Sequence, residues 1–301
     1  MWFLPPCLKM PFQWLDLQQH MRKSRSYSLM ILLLLAIQFC KAQQFQGFAF
    51  NRITTSDGKG LASNLVQCLY QDPRGYIWVG TANGLQRFDG GKFVYFATTA
   101  KNGSEPLPYA PVGQIIGLDS TRLLISFYTL REFGIFNTAD FSYHKLQLKT
   151  KKVVQPRSDF FLWKSQMGEV FLHVSRLGLL KLDLLKMSFV DDQTITFPKG
   201  WIPTSIGAYE DVINKRIWLP CDSGLCVYDR ATKQVWSRHF NPNKLAILNN
   251  ERIQDGITTV YIDQKRRFWI VGWPKWGGGG QQVHCLDSTG ATYLNADTTG
   301  I

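Results

Sequence analysis

Apolar residues in this chain fall in short runs of four to seven, alternating or continuous, each closed by turn-forming residues. In the first complete set the runs cover 65–71, 76–81, 84–89 and 93–96. Asp72-Pro73-Arg74-Gly75 joins the first pair, and Asp89-Gly90-Gly91-Lys92 joins the last pair. Proline presets φ in such a turn and glycine accepts φ > 0, so tight reversals are expected. Runs this short with loops this tight predict an antiparallel meander, not alternating strands and helices. The set recurs on the anchors Trp78, Leu124, Phe171, Trp218 and Trp269, which are 46, 47, 47 and 51 residues apart. A period in the forties built from four strands is the mark of a propeller blade. The expected architecture is an all-β propeller of four-stranded antiparallel blades, with five blades at about 65–96, 112–144, 158–190, 205–239 and 257–295. A sheet of this kind buries both faces only by stacking on another, so each anchor is expected to pack against a neighbouring blade.

The first copy carries a fuller motif. Gly60-Leu61-Ala62-Ser63-Asn64, Asp72-Pro73-Arg74-Gly75, Ile77-Trp78-Val79-Gly80-Thr81 and Asn83-Gly84-Leu85-Gln86-Arg87-Phe88-Asp89 together resemble the two-component regulator propeller repeat. The second and third copies keep the spacing but lose the Trp and Thr. The resemblance, over about 47–295, implies a periplasmic sensor region of a two-component system, often two propellers followed by further domains, a membrane helix and a cytoplasmic histidine kinase. It also implies recognition of glycans or other small extracellular ligands, and a homodimer in the full-length sensor. Five copies do not comfortably close such a ring. Residues 48–53 read as a strand that would complete a last blade, yet the fifth copy supplies its own fourth strand at 291–294, so an open ring is expected, the front of a longer sensor.

Composition adds compartment. Arg22, Lys23 and Arg25 precede an apolar stretch over 29–39, and Cys40-Lys41-Ala42 stands before Gln43. That order is an export signal over residues 1–42, with translation starting at Met1 or Met21, and an uncleaved anchor as the alternative. These residues hold five of the 34 basic side chains and one of the 22 acidic ones, so the remainder still carries an excess of +8. The excess is scattered. Only Lys149-Thr150-Lys151-Lys152 and Lys265-Arg266-Arg267 cluster, both where loops are expected, and they read as solvated turns and not as a nucleic-acid surface. Cys68, Cys221, Cys226 and Cys285 lack zinc-site spacing, so no metal is expected; Cys221 and Cys226 flank a hairpin and could pair in an oxidising compartment.

Candidate chemistry is sparse. His144, His173, His239 and His284 occupy repeat positions, no G-x-S-x-G elbow is present, and Gly277-Gly278-Gly279-Gly280 lacks the Lys-Ser/Thr of a phosphate loop, so neither a catalytic set nor a cofactor is expected. In a propeller whose first strand is innermost, the loops from strand two to three and from one blade to the next share a face. That face is expected to carry Trp273, Lys275 and Trp276 from an inserted loop, together with Arg131, Arg176 and Asp222. Aromatic rings and planar guanidinium forks suit a hydroxyl-rich or anionic ligand such as an oligosaccharide. A glycan hydrolase or lyase on the same fold would need paired acids there, where only Asp222 and Glu132 are placed. A non-sensing interaction scaffold, or a gene remnant with no separate function, is the other alternative.

Overall fold

The computed structural model describes residues 52–96, 104–156, 158–192, 194–204, 207–254, 256–273 and 282–295. The chain divides into two units, Met1–Arg52 and Ile53–Ile301. The export signal and most of the strand expected over 48–53 lie outside the described residues, and Arg52 and Ile53 belong to no strand.

The second unit is a series of five antiparallel sheets in chain order. The first blade is β1 (Val66–Gln71), β2 (Ile77–Thr81), β3 (Gly84–Phe88) and β4 (Phe93–Tyr95). The second is β5 (Val112–Gly117), β6 (Arg122–Phe127), β7 (Glu132–Asn137) and β8 (Tyr143–Lys145). A short strand, β9 (Gln147–Lys149), leaves the second blade before the third begins. The third comprises β10 (Phe160–Lys164), β11 (Val170–Val174), β12 (Gly178–Asp183) and β13 (Ser188–Asp191). The fourth comprises β14 (Tyr209–Asp211), β15 (Arg216–Cys221), β16 (Gly224–Asp229) and β17 (Gln234–Trp236). The fifth comprises β18 (Ile257–Ile262), β19 (Phe268–Gly272), β20 (Gln282–Leu286) and β21 (Thr292–Asn295). Each sheet is a simple meander, except that β9 adds to the outer edge of the third sheet, parallel to β13.

First strands of neighbouring blades approach one another, β1 with β5, β5 with β10 and β14 with β18, so the first strand is innermost. Three of them, β1, β5 and β18, bulge at the same place, one residue after the start. Such a bulge strengthens local twist, which steers the chain from the loop face into the centre.

The apolar core consists of four clusters, each shared by two consecutive blades. Trp78 packs on Leu123, Ile125 and Phe127, and Leu124 on Leu162 and Leu172. Phe171 packs on Ile217 and Leu219, and Trp218 on Ile257, Ile270 and Phe268. Four seams therefore join the five described blades, and among the described residues no further seam closes them into a ring. Among the described residues no further blade packs on Trp269, the fifth anchor, which is half-buried while Trp78 and Trp218 are fully enclosed. Burying a tryptophan removes on the order of 200 Å² from water, several kcal/mol at about 25 cal/mol/Å², so the anchors dominate each seam. At Gly80 the seam is too tight for a side chain: a Cβ would lie 2.4 Å from the Cys68 sulfur and 2.7 Å from a Val112 methyl.

Motif residues of the first blade lock its lead-in to its hairpin. Gln86 accepts from Ala62 N at 2.7 Å and donates to Gly60 O at 2.8 Å; Asn83 Nδ2 donates to Ala62 O at 2.8 Å. Thr81 Oγ1 donates to Gly84 O and accepts from Asn83 N, both at 3.1 Å. Polar groups removed from water are thus satisfied within one repeat.

Candidate functional site

The face shared by the second-to-third-strand loops and the inter-blade connections carries a cleft of about 520 Å³ between the third and fourth blades. One wall is the β11–β12 loop with Arg176, the outer side is the Lys151–Lys152 segment, and the opposite wall is the connection from Ile195 to Pro203 with Phe197 and Trp201. Arg176 holds a left-handed backbone, φ 65°, because the loop must reverse between Val174 and Gly178. Lys152 Nζ donates to Leu177 O at 3.2 Å. Among the described residues the side-chain charges of Lys151, Arg176 and Lys199 meet no hydrogen-bond or ion-pair partner.

Both acids in the cleft are committed. Asp191 Oδ1 accepts from Thr150 Oγ1 at 2.8 Å and its Oδ2 from Lys151 N at 3.2 Å. Asp192 caps the next turn through Thr194 N at 3.2 Å and Ile195 N at 3.1 Å. The cleft is therefore a cationic pocket with an aromatic wall, and neither acid is placed as half of an acid–base pair across it. Its floor is fixed by His173, 5% exposed, whose Nε2 donates to Pro203 O at 2.7 Å. Burial holds the His173 pKa down at about 4, so the ring is neutral and its bare Nδ1 has no partner among the described residues.

Asp222 and Trp273 are brought to this face by backbone hydrogen bonds running across it. Asp222 N donates to Ile202 O at 2.9 Å, Gly256 N to Asp222 O at 2.6 Å, and Trp273 N to Gly256 O at 3.0 Å. The Asp222 carboxylate accepts from Ile202 N at 2.9 Å, so its role is to hold the cleft wall. Trp273 is 54% exposed beyond the last link of this chain. Arg131 does not reach the cleft: its guanidinium donates to the carbonyls of Gln155, Pro156 and Ser158 and lies 4.9 Å over the Phe160 ring. Lys275 and Trp276 fall outside the described residues. Cys221 and Cys226 are both buried free thiols, and burial, with Cys226 beside it, pushes the Cys221 thiol well above its usual pKa. No group of metal-ligating side chains exists among the described residues, and none of their helices is long and apolar enough to cross a membrane.

Residues 60–83, which include the Gly60–Asn64 lead-in, the Asp72 turn and the Trp78 strand, match the two component regulator propeller family. That stretch is one two component regulator propeller repeat. Among solved structures, the chain is similar to the extracellular domain of the hybrid two component system BT3049 from B. thetaiotaomicron, at 17% identity and a TM-score of 0.54, over 80% of this chain and 31% of that one. It is also similar to the extracellular domain of the hybrid system BT4673 from the same organism, at 13% identity and a TM-score of 0.32, over 68% and 36%. A third similarity is to PorZ, a surface component of the type-IX secretion system of Porphyromonas gingivalis, at 14% identity and a TM-score of 0.44, over 78% and 34%. The first of these supports the propeller fold of the repeats, and the chain spans about a third of the length of each structure. No curated protein matches it.

Proposed function

We propose that these propeller repeats are the ligand-sensing part of an extracytoplasmic two-component sensor, and that the cleft between the third and fourth blades receives the ligand. The regulator propeller repeat at residues 60–83 is the observation that supports a sensor. The cleft's make-up points to the ligand. Unpaired Arg176, Lys151 and Lys199 provide fixed positive charge, and Trp201 and Phe197 provide flat apolar surface in the same 520 Å³ space. An acidic sugar presents both complements, a carboxylate or sulfate for the guanidinium and a ring face for the indole. Trp273 stands on the same face, where a longer oligosaccharide would extend. The setting is the periplasm, and a homodimer of the full sensor would carry the signal inward.

The test is calorimetric titration with a uronate-containing disaccharide and its neutral counterpart. Binding of the acidic sugar, weakened at least about tenfold by Arg176→Ala with Lys199→Ala and without a drop in melting temperature, is expected. Equal affinity in the double variant, or preference for the neutral sugar, would overturn the assignment of the cleft.

A further inference from the structure

A second cavity, on the opposite face at the seam of the fourth and fifth blades, is lined by an anchor indole that the acid of its own turn does not reach. In the first and fifth blades the anchor indole donates to the acid of the turn between strands one and two: Trp78 to Asp72 and Trp269 to Asp263, each at 3.0 Å. The acid stands two residues after the residue that pairs with the tryptophan, Tyr70 in the first blade and Tyr261 in the fifth. In the fourth blade Trp218 pairs with Tyr209, so Asp211 is the equivalent acid. The loop that follows is one residue longer. Asp72 closes on Tyr76 and Asp263 on Arg267, four residues on, whereas Asp211 pairs with Arg216, five residues on. The displaced carboxylate is taken by both terminal nitrogens of Arg266 and by Asn214.

Trp218 is 2% exposed, and its Nε1 has no partner among the described residues. A cavity of about 280 Å³ opens at this place: the Asp211–Arg266 pair, whose charges cancel, lines it together with Trp218 and Arg216, and Leu245, Ile247 and Phe268 form its apolar side. Arg216 gives only its Nε to Asp229, at 3.3 Å, and its guanidinium lies 5.0 Å over the Trp236 ring. Its terminal nitrogens have no partner among the described residues. A buried unpaired donor is destabilising, and a charged acceptor offsets this most where water is scarce.

We propose that this cavity binds a short-chain aliphatic carboxylate, one oxygen accepting the Trp218 N–H as Asp72 and Asp263 do in the sister blades. Arg216 supplies the counter-charge and the alkyl tail rests on Leu245, Ile247 and Phe268. The site is independent of the cleft on the other face.

The experiment is an NMR titration of the full chain, with its tryptophan indoles labelled with nitrogen-15, against propionate. Trp218→Phe identifies the resonance. A saturable shift of that one indole N–H is expected, with a dissociation constant on the order of 1 mM, weakened at least about tenfold in Arg216→Gln, which keeps the indole in place. 1-Propanol, of similar size without charge, is expected to leave it unmoved. No shift by about 50 mM propionate, a linear drift of all indoles together, or an equal response to propanol would overturn the proposal and leave the cavity to solvent. Should Trp218→Phe fail to fold, the resonance that loses its propionate response in Arg216→Gln serves the same purpose, and absence of any such resonance is a negative result.

Discussion

Asp72 accepts the indole N–H of Trp78 from beneath the seam between the first two blades, at 3.0 Å. The same carboxylate takes Arg74 N at 2.9 Å and Tyr76 N at 3.1 Å, so one acid satisfies the turn and the anchor at once. The Arg74 guanidinium adds a fourth donor at 3.2 Å, so Asp72→Ala leaves four donors short and is expected to cost about 2–3 kcal/mol. Trp78→Phe should cost less in the Asp72→Ala background than alone, a coupling of about 1–2 kcal/mol measurable in a double-mutant cycle by urea denaturation.

Stability should fall with acid because of His173. Its folded pKa is about 4 against an ordinary 6.5, so the unfolded chain binds the extra proton first. The contribution of the neutral ring is whole above pH 6.5 and is lost as pH drops towards 4, by about 3 kcal/mol in total. His173→Gln keeps a donor for Pro203 O and should flatten the pH dependence of urea unfolding over that window. An unchanged slope would remove His173 as its source.

Arg176 offers a test that separates binding from folding. Its backbone is left-handed, which costs an L-residue about 1 kcal/mol. Arg176→Gly should therefore hold or raise the melting temperature by a few degrees while lowering affinity for an acidic sugar. Loss of both stability and binding would mean that the side chain is structural.

The burial pattern predicts unequal tryptophans. Trp78, Trp218 and Trp236 are enclosed, whereas Trp269 is half-buried and Trp273 is exposed. Acrylamide should quench part of the fluorescence readily, and Trp273→Phe should lower that accessible part, whereas Trp78→Phe should leave it unchanged. The uncovered edges should also make the chain self-associate in light scattering, since unpaired strand edges are templates for pairing.

Much of the fold was legible because each anchor must fill a seam: Trp78, Leu124, Phe171, Trp218 and Trp269 mark it whatever surrounds them. The inner position of the first strand followed, and with it the shared face of Asp222 and Trp273. The cleft was less legible. Its walls come from connections such as 195–203, where no repeat constrains the residues, and Lys151-Lys152 reads as a solvated turn in sequence because nothing there places Arg176 across from it. Arg131 has the right guanidinium, but nothing in the sequence shows that three carbonyls of the next connection converge on it. The orphaned Trp218 arises from one extra residue in the 211–216 turn, an offset that becomes meaningful only when register is known.

The parallel strand at Gln147–Lys149 belongs by chain to the second blade and by hydrogen bonds to the third. It acts as a clasp. The other seams are held by side-chain packing and scattered polar bonds, whereas parting these two blades must also strip a ladder at Ser188, Phe189 and Val190. The array should therefore fray from its ends inward, with the slowest amide exchange at the junction of the second and third blades. The cleft sits one seam away from that fixed point, so a ligand drawing the third and fourth blades together would move the fourth and fifth as a body against an anchored front half.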